Sequence, residues 1–316
     1  MSKQILTIFG ATGKQGGSVV SSILADSVAS SKFALRGVTR DVSKDSAKAL
    51  AARGVEVVAA DLNDKESLRK AIKGAYGVYA VTNFWDSMSE DKEITQGKNI
   101  ADACKEENVQ HLVWSSLLNV TKLTNGVLSE VHHFDSKAKV EDYIRELGIP
   151  ATFFLPGFYM DNIPSMNFHP SPEGKWTLAM PMPADAPIPL FATDRDTGKF
   201  VKAIFLKREA TLGKRVLGAT AYVTPLEILE GFKKVYPEAG KEATFVTVPN
   251  DAFKEQLGKF GMPPAAQEEL LQNMRLVYEF GYYGGEKLDW SQSLVDEPLT
   301  TWEEFIKGNP AFSKAQ

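Results

Sequence analysis

Gly10, Gly13 and Gly16 stand at the spacing G-x-x-G-x-x-G within "FGATGKQGGSV". Glycines so placed let a chain turn sharply, bring its backbone against a pyrophosphate and pack the next helix close to the preceding strand. The start of that helix then offers free N–H groups and a positive dipole end to the phosphates. Gly10, Ala11, Thr12, Gly13, Lys14, Gln15 and Gly16 are therefore the first candidate binding residues. A Walker-type loop fails on spacing, because Gln15 follows Lys14 where Ser or Thr is required. The dinucleotide is chosen at the end of the next strand. An acidic residue there would bind the ribose 2′-hydroxyl of NAD. This chain has Val38-Thr39-Arg40, and a guanidinium offers a fork of donors to a 2′-phosphate. Lys44 lies close behind, and Asp41 is the one dissenting residue. The expected cofactor is NADP(H).

These residues need a scaffold, and the first half of the chain supplies one. "ILTIFG", "KFALRGVTR", "VEVVAAD", "GVYAVTN", "VQHLVWSSL" and "PATFFLPGF" read as six buried strands. Helical stretches separate them, among them "KQGGSVVSSILAD", "EDKEITQGKNIADACKEEN" and "HFDSKAKVEDYIRELG". Strands alternating with helices at this spacing imply parallel pairing through right-handed crossovers. The expected fold is α/β, a Rossmann-type doubly wound parallel sheet with a smaller, mostly helical C-terminal lobe. Residues 1–156 form the expected NADP(H)-binding domain and 157–316 the lobe, with some strands returning to the main sheet. In such sheets ligands lie beyond the carboxyl ends of the strands. That adds Asp61 and Leu62 after the third strand, and Thr82, Asn83 and Phe84 after the fourth. After Pro156 a proline-rich stretch reads as loops with one short strand. Further on, Thr224-Pro225 with Glu227, and Thr300 or Thr301 before "WEEFIKG", carry helix-capping signatures.

Short-chain dehydrogenases place Tyr-x-x-x-Lys on the helix after the fifth strand, where the tyrosine donates a proton and the lysine holds the nicotinamide ribose. Here that helix carries His133-Phe-Asp-Ser-Lys137, after a strand ending in Ser115-Ser116. The lysine is in place and the tyrosine is not. Tyr283-Gly-Gly-Glu-Lys287 has the right spacing but stands beside a Gly-Gly turn in the lobe. "FGATGKQGGSV", "VTR", "VTNFW", "HFDSKAKVEDYI" and "PGFYMDN", in that order along nearly the whole chain, resemble the NmrA-like family of atypical short-chain dehydrogenases. The resemblance implies that the glycine loop holds the pyrophosphate and that Arg40 meets the 2′-phosphate. It places Asp61 and Leu62 near the adenine, and Thr82, Asn83 and Phe84 near the ribose and pyrophosphate. Lys137 would hold the nicotinamide ribose, with Phe158, Tyr159 and Asn162 closing over the nicotinamide. The chain departs from the family pattern at Thr95, where a cofactor-contacting lysine is expected.

Two functions stay open on these residues. One is a redox or cofactor sensor that acts on a regulatory protein partner, which the missing tyrosine favours. The other is an NADPH-dependent reductase of a carbonyl, imine or quinone, with His133 as proton source and Lys137 beside it. An imidazole has an ordinary pKa of about 6.5 and so can serve near neutrality. Tyr159 is a second donor candidate. A sugar-nucleotide epimerase ranks last, because it needs the absent tyrosine. Trp176, Met180, Met182, Phe191, Tyr282 and Tyr283 could roof a pocket for a small apolar substrate, fill the lobe core or face a partner.

Bulk properties narrow the setting. The chain has 316 residues, 36 basic and 40 acidic, for a net charge of −4. That argues against direct nucleic-acid binding, which favours a basic excess. A single cysteine, Cys104, excludes an internal disulfide and reads as a core residue. No leader-like or membrane-length apolar run is present, so the expectation is a soluble cytoplasmic protein, with the nucleus also open, no membrane partner and no metal. A homodimer is an option.

Overall fold

In the computed structural model, which describes residues 2–315, thirteen strands form three sheets. In chain order they are β1 (Gln4–Ile8), β2 (Phe33–Thr39), β3 (Glu56–Ala59), β4 (Gly77–Ala80), β5 (His111–Ser115), β6 (Ala151–Pro156), β7 (Phe158–Tyr159), β8 (Phe168–Pro170), β9 (Trp176–Met180), β10 (Ile188–Phe191), β11 (Arg215–Gly218), β12 (Ala221–Val223) and β13 (Thr244–Thr247). The main sheet has the order β11-β6-β5-β4-β1-β2-β3 and is parallel throughout. This is the doubly wound order, extended at one edge by β11. The order reverses between β1 and β4, and the crevice beyond their carboxyl ends is where a ligand belongs.

The strands read as continuous apolar runs because helices cover both faces. Leu6, Ile8, Tyr79, Val113 and Phe154 pack with the helices Lys14–Ala25 and Thr193–Leu206. Val78, Leu112, Trp114, Phe153 and Leu155 pack on the other side with Glu90–Glu106 and His132–Glu146. Cys104 is fully buried there, and burial pushes its thiol well above the usual range. It is a core residue.

Beyond Pro156 the structure departs from the expectation of loops and one strand. β10 joins β7 and β12 in one small sheet, and β9 joins β8 and β13 in another. The strands were hard to read because prolines interrupt their apolar alternation, and both sheets have only three short members. Helices follow, including Pro225–Val235, Asn250–Lys259 and Pro264–Leu276. Thr224 with Glu227, and Thr301 with Glu304, form complete capping boxes. Trp176, Met180, Met182, Phe191, Tyr282 and Tyr283 are all buried. They are core, not the roof of a pocket: Trp176 packs with Phe168, Phe232 and Phe312. The Tyr283 hydroxyl donates to the Leu155 carbonyl at 2.9 Å, so its spacing to Lys287 carries no chemistry. Among the described residues no helix is long and apolar enough to cross a membrane.

Candidate functional site

The glycine loop joins β1 to the helix Lys14–Ala25. Gly10 adopts φ of 61°, a conformation that suits glycine. A Cβ on Gly16 would lie 2.3 Å from the Gly10 carbonyl oxygen and 2.7 Å from that of Phe9. Both obstacles are backbone, so the cradle exists only with glycine there. Gly13 caps the helix without any side-chain bond, leaving the first N–H groups for an anion. Thr12 and Lys14 are exposed beside them, and Lys14 pairs with Asp161 at 2.9 Å.

Arg40 follows β2 with its side chain 80% exposed. It lies 3.5 Å from Asp86, whose other oxygen accepts a 2.6 Å bond from Asn83. Asp86 thereby draws two predicted cofactor residues, Arg40 and Asn83, to one point. Asp41 spends Oδ1 on the Ser43 hydroxyl and N–H, which hold its carboxyl below the ordinary range. The dissenting acid is thus folded into its own turn, and the exposed guanidinium fits a 2′-phosphate. Lys44 is exposed at the start of the helix Asp45–Ala52.

Lys137 lies in the helix His132–Glu146, nearly buried. Its ammonium is 2.5 Å from Glu93 Oε1, the same oxygen that accepts the Thr82 hydroxyl at 2.7 Å. Ser136 donates to Glu93 Oε2. Glu93 therefore gathers three donors and joins two predicted residues, Thr82 and Lys137. Sequence reasoning missed it, although a signal was present: Glu93 shares a helical stripe with Gly97, Ile100, Ala101 and Cys104, all buried. A carboxylate on an apolar stripe needs partners.

A second cluster forms around Gln15. Its amide donates to the Tyr159 hydroxyl at 2.7 Å and accepts from Ser115 at 3.0 Å and from Tyr79. Burial raises the Tyr159 phenol to about 12, which makes it a poor acid near neutrality. His133 sits one helical turn before Lys137. Its Nδ1 and its backbone N–H both lie 2.7 Å from Glu269 Oε1, on the helix Pro264–Leu276. The imidazole packs against Phe84, Trp85 and Phe134. Glu269 is 136 residues away in sequence and carries no local signal of this contact.

Other predicted residues do not join these clusters through side chains. Asp61 accepts the Asn63 N–H and side chain, bonds that hold its carboxyl low. The Leu62 carbonyl accepts Asn99, Phe158 is buried in the core, and Asn162 is half-buried before a short helical turn. Thr95 is exposed, its hydroxyl bonded to the Asp91 carbonyl.

Sheet order, glycine cradle and His-x-x-x-Lys helix together define a Rossmann-type protein of the atypical short-chain dehydrogenase kind. Comparison gives the family: the NmrA-like profile matches residues 2–306, and the chain belongs to the NmrA-like family. The NmrA-like family domain-containing oxidoreductase malD of Malbranchea aurantiaca is 33% identical over 328 residues, covering 96% of this chain and 90% of the relative. Its counterpart cpsB of Aspergillus campestris is 30% identical, covering 100% and 90%. Among solved structures, NmrA, a negative transcriptional regulator, in complex with NADP superposes with a TM-score of 0.80 at 22% identity, covering 98% of this chain and 96% of its own. The quinone oxidoreductase QOR2 of Escherichia coli with NADPH gives 0.74 at 21%, covering 96% and 99%.

Proposed function

We propose that the chain is an NADPH-dependent reductase. The observation that carries this reading is the Glu269–His133 contact one helical turn from Lys137. A sensor needs a cofactor cradle only. A reductase of a neutral imine, carbonyl or quinone also needs a proton source, and His133 is held where one could stand: Glu269 fixes Nδ1, while Nε2 makes no hydrogen bond among the described residues. In this assignment the loop Gly10–Gly16 cradles the pyrophosphate of NADP(H), and Arg40 and Lys44 meet the 2′-phosphate. Asp61 and Leu62 flank the adenine, and Thr82, Asn83 and Phe84 follow the middle of the cofactor. Lys137, steadied by Glu93, holds the nicotinamide ribose, with Phe158, Tyr159 and Asn162 at the nicotinamide end. When bound, NADPH supplies the hydride. Residues 157–316 supply the substrate side. Two relatives named as oxidoreductases, and a neighbour named as an NADPH-dependent quinone oxidoreductase, support the reading.

The test is NADPH consumption by purified protein with carbonyl, imine and quinone acceptors. Fluorescence titration shows that NADPH binds in the same preparation. Turnover that collapses in Lys137→Ala is expected. Tight binding without turnover of any acceptor overturns the reductase and returns the sensor with a protein partner.

A further inference from the structure

A cavity of about 310 Å³ opens beside Phe84, between the turn Phe84–Asp86 and the starts of the helices His132–Glu146 and Pro264–Leu276. Phe84, Met88, Pro263 and Ala266 give it apolar walls, and Glu90 and Glu269 give it two carboxylates. His132, also on its wall, pairs with Glu90 and Glu130. Glu90 is balanced further by Lys139. Glu269 is different. Its side chain is 5% exposed, and its one ionisable partner among the described residues is His133, which is positive only when protonated. A buried carboxylate is costly without a positive partner.

We infer that this cavity is the substrate pocket and takes a flat bicyclic compound whose reducible bond carries a positive, iminium-type nitrogen. The inference rests on the reductase reading. The volume of about 310 Å³ is at the low end for ligand pockets, which suits a small compound such as two fused rings. The chemistry agrees with the missing tyrosine. Hydride adds to the iminium carbon and forms one C–H bond. The C=N π pair moves onto nitrogen, a neutral amine results, and the nicotinamide hydride donor is oxidised. No proton is taken up in that step. A neutral imine reaches the same state after accepting one proton, for which His133 is the acid at hand. A carbonyl substrate would instead place a developing oxyanion beside Glu269, a contact that repels.

Calorimetric titration of N-methyl-dihydroisoquinolinium and of tetralone, a neutral ketone of the same shape, tests this on the wild-type protein with and without NADP⁺. The cation is expected to bind about tenfold more tightly or better, the scale of one partly buried ion pair. Glu269→Gln keeps an acceptor for the His133 N–H and should erase most of that preference. Glu90→Gln, on the more exposed wall, guards against a folding defect in the first variant and should erode it by a smaller factor. Equal affinity for the two compounds, or preference for tetralone, overturns the inference. NADPH consumption with the same pair separates the two readings. Turnover of tetralone alone keeps the reductase and removes the iminium pocket. Tight cation binding without turnover of any acceptor keeps the pocket and removes the reductase.

Discussion

Removing the Glu93 carboxylate should weaken both the fold and the cofactor site. Glu93 is 1% exposed on its side chain and Lys137 11%, with 2.5 Å between their charged atoms. Glu93→Ala leaves the Lys137 ammonium without its anion and the Thr82 and Ser136 hydroxyls without their acceptor. Breaking a buried pair from one side costs about 3–5 kcal/mol, mostly through the stranded charge. For a chain of this size roughly 2 °C of melting temperature follows each kcal/mol, so a fall of about 6–10 °C is expected. Glu93→Gln, which keeps an acceptor of the same shape, should cost less. The decisive arm is a double-mutant cycle with Lys137→Met. If the stranded ammonium is the cause, Glu93→Gln with Lys137→Met loses clearly less stability than the two single changes added together. Denaturant unfolding of the four proteins measures this. Strict additivity, or a Glu93→Ala protein that melts within a degree of the parent, would show that the stranded Lys137 ammonium costs the fold nothing.

Four further outcomes follow from the same geometry. Gly16→Ala forces a methyl group against two backbone oxygens, so NADPH affinity should fall by at least about tenfold in a fluorescence titration, within the cost of overpacking. Arg40→Ala should weaken NADPH by about 10- to 100-fold and leave NADH binding unchanged, since a charge-assisted hydrogen bond contributes about 1.5–3 kcal/mol; equal losses for both cofactors would place the 2′-phosphate elsewhere. Thr301→Ala removes one half of a capping box and should cost about 1 kcal/mol in thermal unfolding, without touching turnover. Burial pulls His111 down to about 3, so the unfolded chain binds its proton first as pH falls below 6.5. Stability should therefore drop toward acid by about 1.4 kcal/mol per pH unit from this group, and His111→Gln should flatten that slope in denaturant titrations between about pH 4 and 7.

The parallel sheet was legible because each of its first six strands is an apolar run beyond which the chain turns and enters a helix. The cradle was legible because Gly10, Gly13 and Gly16 are required by backbone geometry, which leaves a mark in residue type. Arg40 was legible by position, at the end of β2. What the sequence hid was pairing over distance. Glu269 reaches His133 across 136 residues, and Asp86 joins Arg40 to Asn83 only after the turn Phe84–Asp86 has formed. Glu93 lay between these extremes, because its place on a buried stripe could have been noticed while its three partners could not. The two small sheets escaped because their strands are short and Pro170 and Pro189 lie within them.

In the proposed reading, hydride passes from a cofactor seated on Gly10–Gly16 and Lys137 to a molecule in the cavity beside Glu269. Mass spectrometry of the product, after incubation with NADPH deuterated on the transferring face of C4 and the bicyclic iminium, tests it most directly. The expected product is an amine that carries the deuterium at the former iminium carbon, with none formed by Lys137→Ala. An unlabelled amine, or no amine from a protein that binds both compounds, would contradict it.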